Sequence, residues 1–270
     1  MVEITKKYKI GTRRFGLVNW YGTWTLYVKE VLRFLNVWAQ TLFSPLISSL
    51  FFLLVLSLAI GTERGEVLGV SFITFLAPGL IAMQIIQQAF SHSSSSLMIK
   101  KIDGTIVDLL FAPLSASEAT IAISLAAVTR SVLLAIISII TFTLIIDIQI
   151  QNYLTLISFT FLSSFILGNI GIIAGLWAEK FDNMATVTNF IIVPLSFLSG
   201  TFYSIDRLPR FLQTVSEFNP FFYMIDGFRY SFIGTADGSI TFGIIYLIIL
   251  SFVSWLVAYI LYKKGYKIKS

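Results

Sequence analysis

At 270 residues, the chain is 56% hydrophobic and only 12% charged, with a mean hydropathy of +0.85. Soluble domains hold about 45–50% apolar and about 25% charged residues, so the composition excludes a soluble globular domain and indicates an all-α integral membrane protein. The net charge of +5 does not point to nucleic acid, because the basic residues sit in short polar ends and loops where membrane topology accounts for them. There is no cysteine, hence no disulfide or thiol chemistry.

Residues 1–19 are basic (Lys6, Lys7, Lys9, Arg13, Arg14) and read as a loose cytoplasmic lead without the apolar core of a signal peptide. Over 20–35, Trp20, Trp24, Tyr27, Val28, Val31 and Leu35 recur at three- and four-residue spacing, while Lys29, Glu30 and Arg33 take the other face. This predicts an amphipathic interface helix lying along the membrane surface, with a packed amphipathic helix as the alternative. Residues 1–35 therefore precede a six-helix transmembrane domain over 36–270. Its spans are predicted at 36–60, 72–90, 119–146, 153–178, 184–203 and 241–262. The second carries a polar set, Gln84, Gln87 and Gln88, and ends at the polar run Ser91–Ser96, read as a helix end. Arg130 lies inside the third, where it snorkels, pairs with another helix or meets an anionic substrate group. Gln84, Gln88 and Arg130 are candidate pathway or interface residues. In the fourth, Gly168, Gly171 and Gly175 have the spacing that lets helices approach closely.

The segment 204–236 cannot be a seventh span. Asp206, Arg207, Arg210, Glu217, Asp226 and Arg229 are spread through it, and Pro209 and Pro220 cut it into pieces shorter than the roughly 20 residues a crossing needs. It remains rich in Phe, Tyr and Leu. These features predict a broken, re-entrant excursion, tolerated at membrane depth where protein or a watery cavity covers its backbone. Asp226 and Arg229, three residues apart on a short helix, are expected to form a buried ion pair that holds the excursion together, with direct substrate contact as the alternative.

Six spans put both termini on one side. That side collects fourteen Lys and Arg against four on the other (Arg64, Arg207, Arg210, Arg229), so both termini are predicted cytoplasmic and the excursion extracytoplasmic.

Much chemistry is absent from the sequence. There is no G-x-x-x-x-G-K-[ST] phosphate loop. His92 is the only histidine, which argues against a transition-metal site, and its serine neighbours lack an acidic partner placed by sequence. Neither a catalytic, cofactor nor metal site is expected. Paired intramembrane carboxylates, which an ion-coupled carrier would need, are missing too.

Between the second and third spans, the loop 97–118 contains Gly104 and Thr105, which suit a helix start. Ile106 to Phe111 form one and a half apolar turns, and Pro113 stops them. A short apolar helix outside the membrane needs a partner. Its sequence, DGTIVDLLFAPLSASE, together with GLWAEKFDN and PLSFLSGTFYSIDRLPRFLQTVSEFNPFFYMIDGFRYSFIG, resembles the permease subunit of type-2 ABC exporters, in particular the multidrug, capsule and lipo-oligosaccharide export permeases. The resemblance runs from about residue 20 to the end, with Ser199-Gly200, Leu208-Pro209, Asn219-Pro220 and Arg229 in the family's order.

The resemblance implies an assembly of two permeases, expected to be a homodimer, with two ABC ATPase subunits that carry the ATP and Mg. Gly104, Thr105, Ile106, Asp108, Leu109, Leu110 and Pro113 would form the coupling helix held by the ATPase. Gly200, Pro209, Asn219, Pro220, Asp226 and Arg229 would form a gate capping the exit. The expected cargo is amphipathic or lipid-linked, and the expected location is the plasma (inner) membrane. The alternative is a secondary carrier or channel that needs no ATPase.

Overall fold

The computed structural model describes residues 16, 18–60, 65–146 and 148–268. The basic lead (Lys6, Lys7, Lys9, Arg13, Arg14), Arg64 and Lys269 lie outside the described residues. In hydrocarbon, backbone donors and acceptors must be satisfied within each segment, and a helix does this without neighbours. Among the described residues, six helical runs are long and apolar enough to cross a membrane: Ala39–Ala59, Phe72–Ile102, Ala116–Ile145, Tyr153–Trp177, Phe181–Leu198 and Ile240–Lys263. There is no β-strand among them; a lone Val67–Val70 bridge closes a turn. The protein is an all-α membrane protein with six candidate spans.

Helix α1 (Trp20–Leu35) leads through a wide π-helical turn (Ala39–Phe43) into α2 (Ser44–Ile60). Then come α3 (Phe72–Ile102), the short α4 (Ile106–Phe111), α5 (Ala116–Ile145) and α6 (Tyr153–Trp177). The fifth span is built in pieces, α7 (Phe181–Val187), a second π-helical turn (Thr188–Ile192) and α8 (Val193–Leu198). A single 3₁₀ turn (Ile205–Arg207), α9 (Arg210–Phe218) and α10 (Pro220–Ile233) precede the last span, α11 (Ile240–Lys263).

Helix α3 differs from its prediction. The polar run after Phe90 is not an end, because the helix continues to Ile102 with His92, Ser93, Ser94 and Ser96 fully buried. Two of its hydroxyls bond back within the helix, Ser94 Oγ donating to Phe90 O (2.8 Å) and Ser95 Oγ to His92 O (3.1 Å), while Ser96 Oγ reaches Glu30 of α1 (2.8 Å). Small side chains at this level let α6 come close. A Cβ added to Gly171 would sit 2.5 Å from Phe90 O, and one at Gly175 would sit 2.9 Å from Ser94 O. The predicted close-approach spacing is thus used, with Gly171 and Gly175 facing α3 while Gly168 faces Ser124 and Ala127 of α5.

A large core joins α3, α6 and α10, with Phe75, Phe90, Phe159, Phe222 and Phe228 fully buried. A smaller one gathers Leu26, Leu97, Ile106, Leu109, Ile123 and Leu176 where α3 and α6 end and α4 begins. The large core runs along most of the bundle, and the smaller one marks the end at which α4 sits. The predicted broken segment is found as α9 and α10, parted at Asn219-Pro220. Asn219 Oδ1 accepts from Phe221 N (3.1 Å), and Pro220 fills a first-turn position where no N–H is needed.

Candidate functional site

At the smaller core, α4 is amphipathic in an unusual sense. Ile106 and Leu109 are buried against the bundle, whereas Val107, Asp108, Leu110 and Phe111 are exposed, Phe111 to 84%. Gly104 and Thr105 precede it and Pro113 follows it, as the sequence predicts. Burying two apolar residues leaves three others bare, the kind of patch that marks a contact surface.

Both roots of this projecting turn are fastened to α1. After α4, Ser115 and Glu118 form a capping box at the start of α5. Glu118 Oε2 accepts from Ser115 N (2.7 Å) while Oε1 accepts from Asn19 N (2.7 Å), and Asn19 Nδ2 donates to Pro113 O (3.1 Å). Asn19 also caps α1, its Oδ1 accepting from Gly22 N (2.9 Å). Before α4, Lys100 Nζ is ion-paired with Glu30. Lys101 Nζ donates to Leu176 O (2.9 Å) and Ala178 O (2.5 Å), tying the same root to the end of α6.

Glu30 corrects the prediction for α1. It does not lie on an outward charged face. It is 1% exposed and accepts from Ser96 Oγ (2.8 Å) and Arg33 Nε (3.0 Å) in addition to Lys100. Burial alone would push its carboxyl up, but the Lys100 and Arg33 charges prevail and lower it to about 2. Trp20, Tyr21 and Trp24 are exposed, and Tyr27 meets Thr129 of α5 through its hydroxyl (2.8 Å).

A second locus is a cleft lined by Gln84, Gln88 and Arg130, the polar residues marked within the spans, together with Gln87 and Arg33. Arg130 Nη2 donates to Gln88 Oε1, so the intrahelical charge has a neutral partner on a neighbouring helix.

The third locus is the opposite end. Arg229 is fully buried; its Nη2 donates to Gly200 O (2.6 Å) and its guanidinium lies 3.9 Å over the Phe75 ring. A Cβ on Gly79 of α3 would stand 2.6 Å from Thr201 O, so the turn after α8 seats directly on α3. Asn219 Nδ2 donates to Ser199 Oγ (2.7 Å). Gly200, Asn219, Pro220 and Arg229 are therefore brought together around α8 and α10, whereas Pro209 stands apart, exposed at the start of α9.

The expected Asp226–Arg229 ion pair is not formed. Asp226 turns instead to the start of the last span's loop, accepting from Asp237 N (3.1 Å) and Gly238 N (2.9 Å). Two backbone N–H groups satisfy its oxygens, while Arg229 Nη2 donates to the Gly200 and Thr201 carbonyls and the guanidinium lies over the Phe75 ring. Spacing made the two residues neighbours, but each had better local partners.

Glu30, Lys100, Asn19 and Glu118 were not singled out from sequence. Only Ser115-x-x-Glu118 carried a readable signal, as a capping box. Among the described residues no three His, Cys, Asp or Glu side chains gather closely enough to hold a metal ion.

The family model described as ABC-2 type transporter matches residues 21–233. Inner membrane transport permease YadH of Escherichia coli (strain K12) is 30% identical over 253 residues, covering 93% of this chain and 98% of that protein. Nodulation protein J of Neorhizobium galegae is 22% identical over 245 residues, covering 88% and 92%. Nodulation protein J of Rhizobium leguminosarum bv. trifolii is 24% identical over 217 residues, covering 79% and 81%. A match that takes in α1, five of the six candidate spans and the broken segment leads to one conclusion: the chain belongs to the ABC-2 type transporter family.

Proposed function

We propose that this chain is the membrane-spanning subunit of an ATP-driven exporter, powered by a separate ATPase subunit and paired with a second copy of itself. Residues 1–35 lead into one transmembrane domain over 36–270. Both termini face the cytoplasmic side of the inner membrane; the location is supported by the YadH relative, an inner membrane transport permease, and the orientation by the charge bias of the loops. The observation that carries the reading is α4, which holds itself to the bundle with Ile106 and Leu109 and presents Val107, Leu110 and Phe111 outward. Two ATPase subunits would each hold one such turn, with ATP and Mg bound on the ATPase. The segment 204–236 would cap the route at the far side, with Arg229 and Asn219 fixing its shape.

Coupling requires that the ATPase states favour different permease states. The roots of α4 give that bias a path: a displaced α4 pulls on Asn19 through Glu118 and on Glu30 through Lys100. The exposed surfaces of the outer spans suit contact with lipid and a second copy, and the few fixed charges suit an amphipathic or lipid-linked cargo.

The test is to recover the ATPase that copurifies with the tagged full-length chain and to compare Leu110→Asp and Phe111→Ser with wild type. Both positions are exposed, so membrane insertion should be unchanged while recovery of the ATPase and its ATP hydrolysis fall at least about tenfold, as expected for central apolar anchors. Undiminished recovery with both variants would refute the assignment.

A further inference from the structure

The cleft holding Arg130 has a volume of about 640 Å³, within the range of about 300–1,000 Å³ usual for small-molecule sites. Its polar side is built from Arg33, Gln87, Gln88 and Arg130, and its apolar side includes Phe52 and Met83. Two cations line it and no carboxylate does. Arg33 is answered by Glu30 at 3.0 Å. Arg130 has no carboxylate within ion-pair distance among the described residues, although it is only 6% exposed. Beyond the donor given to Gln88, its Nε has no hydrogen-bond partner, and neither has Gln87 Nε2.

A buried guanidinium without a counter-charge, beside an orphaned amide donor, is a costly arrangement that an anion in the cleft would relieve. The guanidinium fork matches the geometry of phosphate. The mixed lining adds that the anion carries an apolar tail. Gln88 stands seven residues along α3 from Ser95, which Arg33 contacts, so the two cations are separated by roughly 10 Å along the helix axis. A headgroup entering beside α1 therefore reaches Arg130 after about two turns.

We propose that this cleft binds the phosphate headgroup of a membrane amphiphile, with Arg130 as the principal contact and Gln87 and Arg33 as further donors. The proposal deepens the transport reading and rests on it for the cargo class, but the site itself can be tested on the permease alone. The full-length chain in uncharged dodecyl maltoside is titrated with hexadecyl phosphate, hexadecanol or inorganic phosphate, and bound molecules are counted by native mass spectrometry.

Hexadecyl phosphate should bind saturably at one per chain, and Arg130→Gln should weaken it at least about tenfold, the loss expected for a charge-assisted bond. Arg130→Lys should weaken it less. Gln87→Leu deletes an amide that donates to nothing, so it keeps the test valid should Arg130→Gln fold poorly, and it should weaken binding severalfold. Equal binding of hexadecanol, or unchanged binding by folded Arg130→Gln and Gln87→Leu, overturns the site. Inorganic phosphate competing at matched concentration overturns the amphiphile and leaves a soluble anion. Loss of this site while Leu110 and Phe111 still govern ATPase recovery would refute the inference and spare the transport reading.

Discussion

Replacing Glu30 by Gln tests whether the buried cluster holds α1 to α3. The substitution keeps shape and removes charge. It leaves Lys100, itself buried, without a counter-ion, and deprives Ser96 and Arg33 of an acceptor. Breaking a buried pair by deleting one partner costs about 3–5 kcal/mol. In a chain of this size about 1 kcal/mol moves the unfolding midpoint by roughly 2–4 °C, so the expected fall is on the order of 10 °C. Thermal unfolding in detergent, followed by the loss of monodisperse protein, reads it. The double variant Glu30→Met with Lys100→Met removes both charges at similar volume and should recover most of the loss, since apolar replacement of a whole buried pair is often neutral. A single-variant loss below about 1 kcal/mol, or two single effects that simply add in the double variant, would refute the reasoning.

The same carboxyl sets an acid limit. Its folded pKa of about 2 lies below its ordinary value, so its contribution is present above about pH 4.5 and drains away as pH falls toward 2; wild type should lose stability over that range more steeply than Glu30→Gln. Arg229→Lys keeps the charge but loses the fork over Phe75 and the bond to Gly200 O, and should cost about 2–3 kcal/mol with loss of transport, read as midpoint and vesicle uptake together. Gly171→Ala places a methyl 2.5 Å from Phe90 O and should cost about 1–3 kcal/mol through separation of α3 and α6, whereas alanine at exposed Gly16 should be neutral in the same assay.

Most of the architecture was legible because a bilayer leaves few options: each crossing must be a long apolar helix, and prolines and charges bar the segment 204–236 from being one. The error at α3 shows the limit. Ser91 to Ser96 look like an end because each residue is polar by itself, yet Ser94 and Ser95 bond back within the helix, Ser96 reaches Glu30 of α1, and Ser93 and Ser94 pack under Gly171 and Gly175. Glu30 failed for a related reason. Its partner Lys100 lies 70 residues on, so nothing near α1 signals that this acid turns inward. Asp226 and Arg229 erred in the opposite direction, since helical spacing marks adjacency and not bonding. The cleft was half legible: Gln84, Gln88 and Arg130 were marked as polar intruders, and only packing shows that they share a space.

The glycine-on-serine seam between α3 and α6 divides the molecule mechanically. Backbones in direct contact cannot slide without collision, so these two rods must travel together as one strut. By contrast the run Ala39–Ala59 and the run Phe181–Leu198 are mostly uncovered by the rest of the chain, and each contains a widened turn. A rigid mast flanked by two loosely held outriders is thus built into the fold.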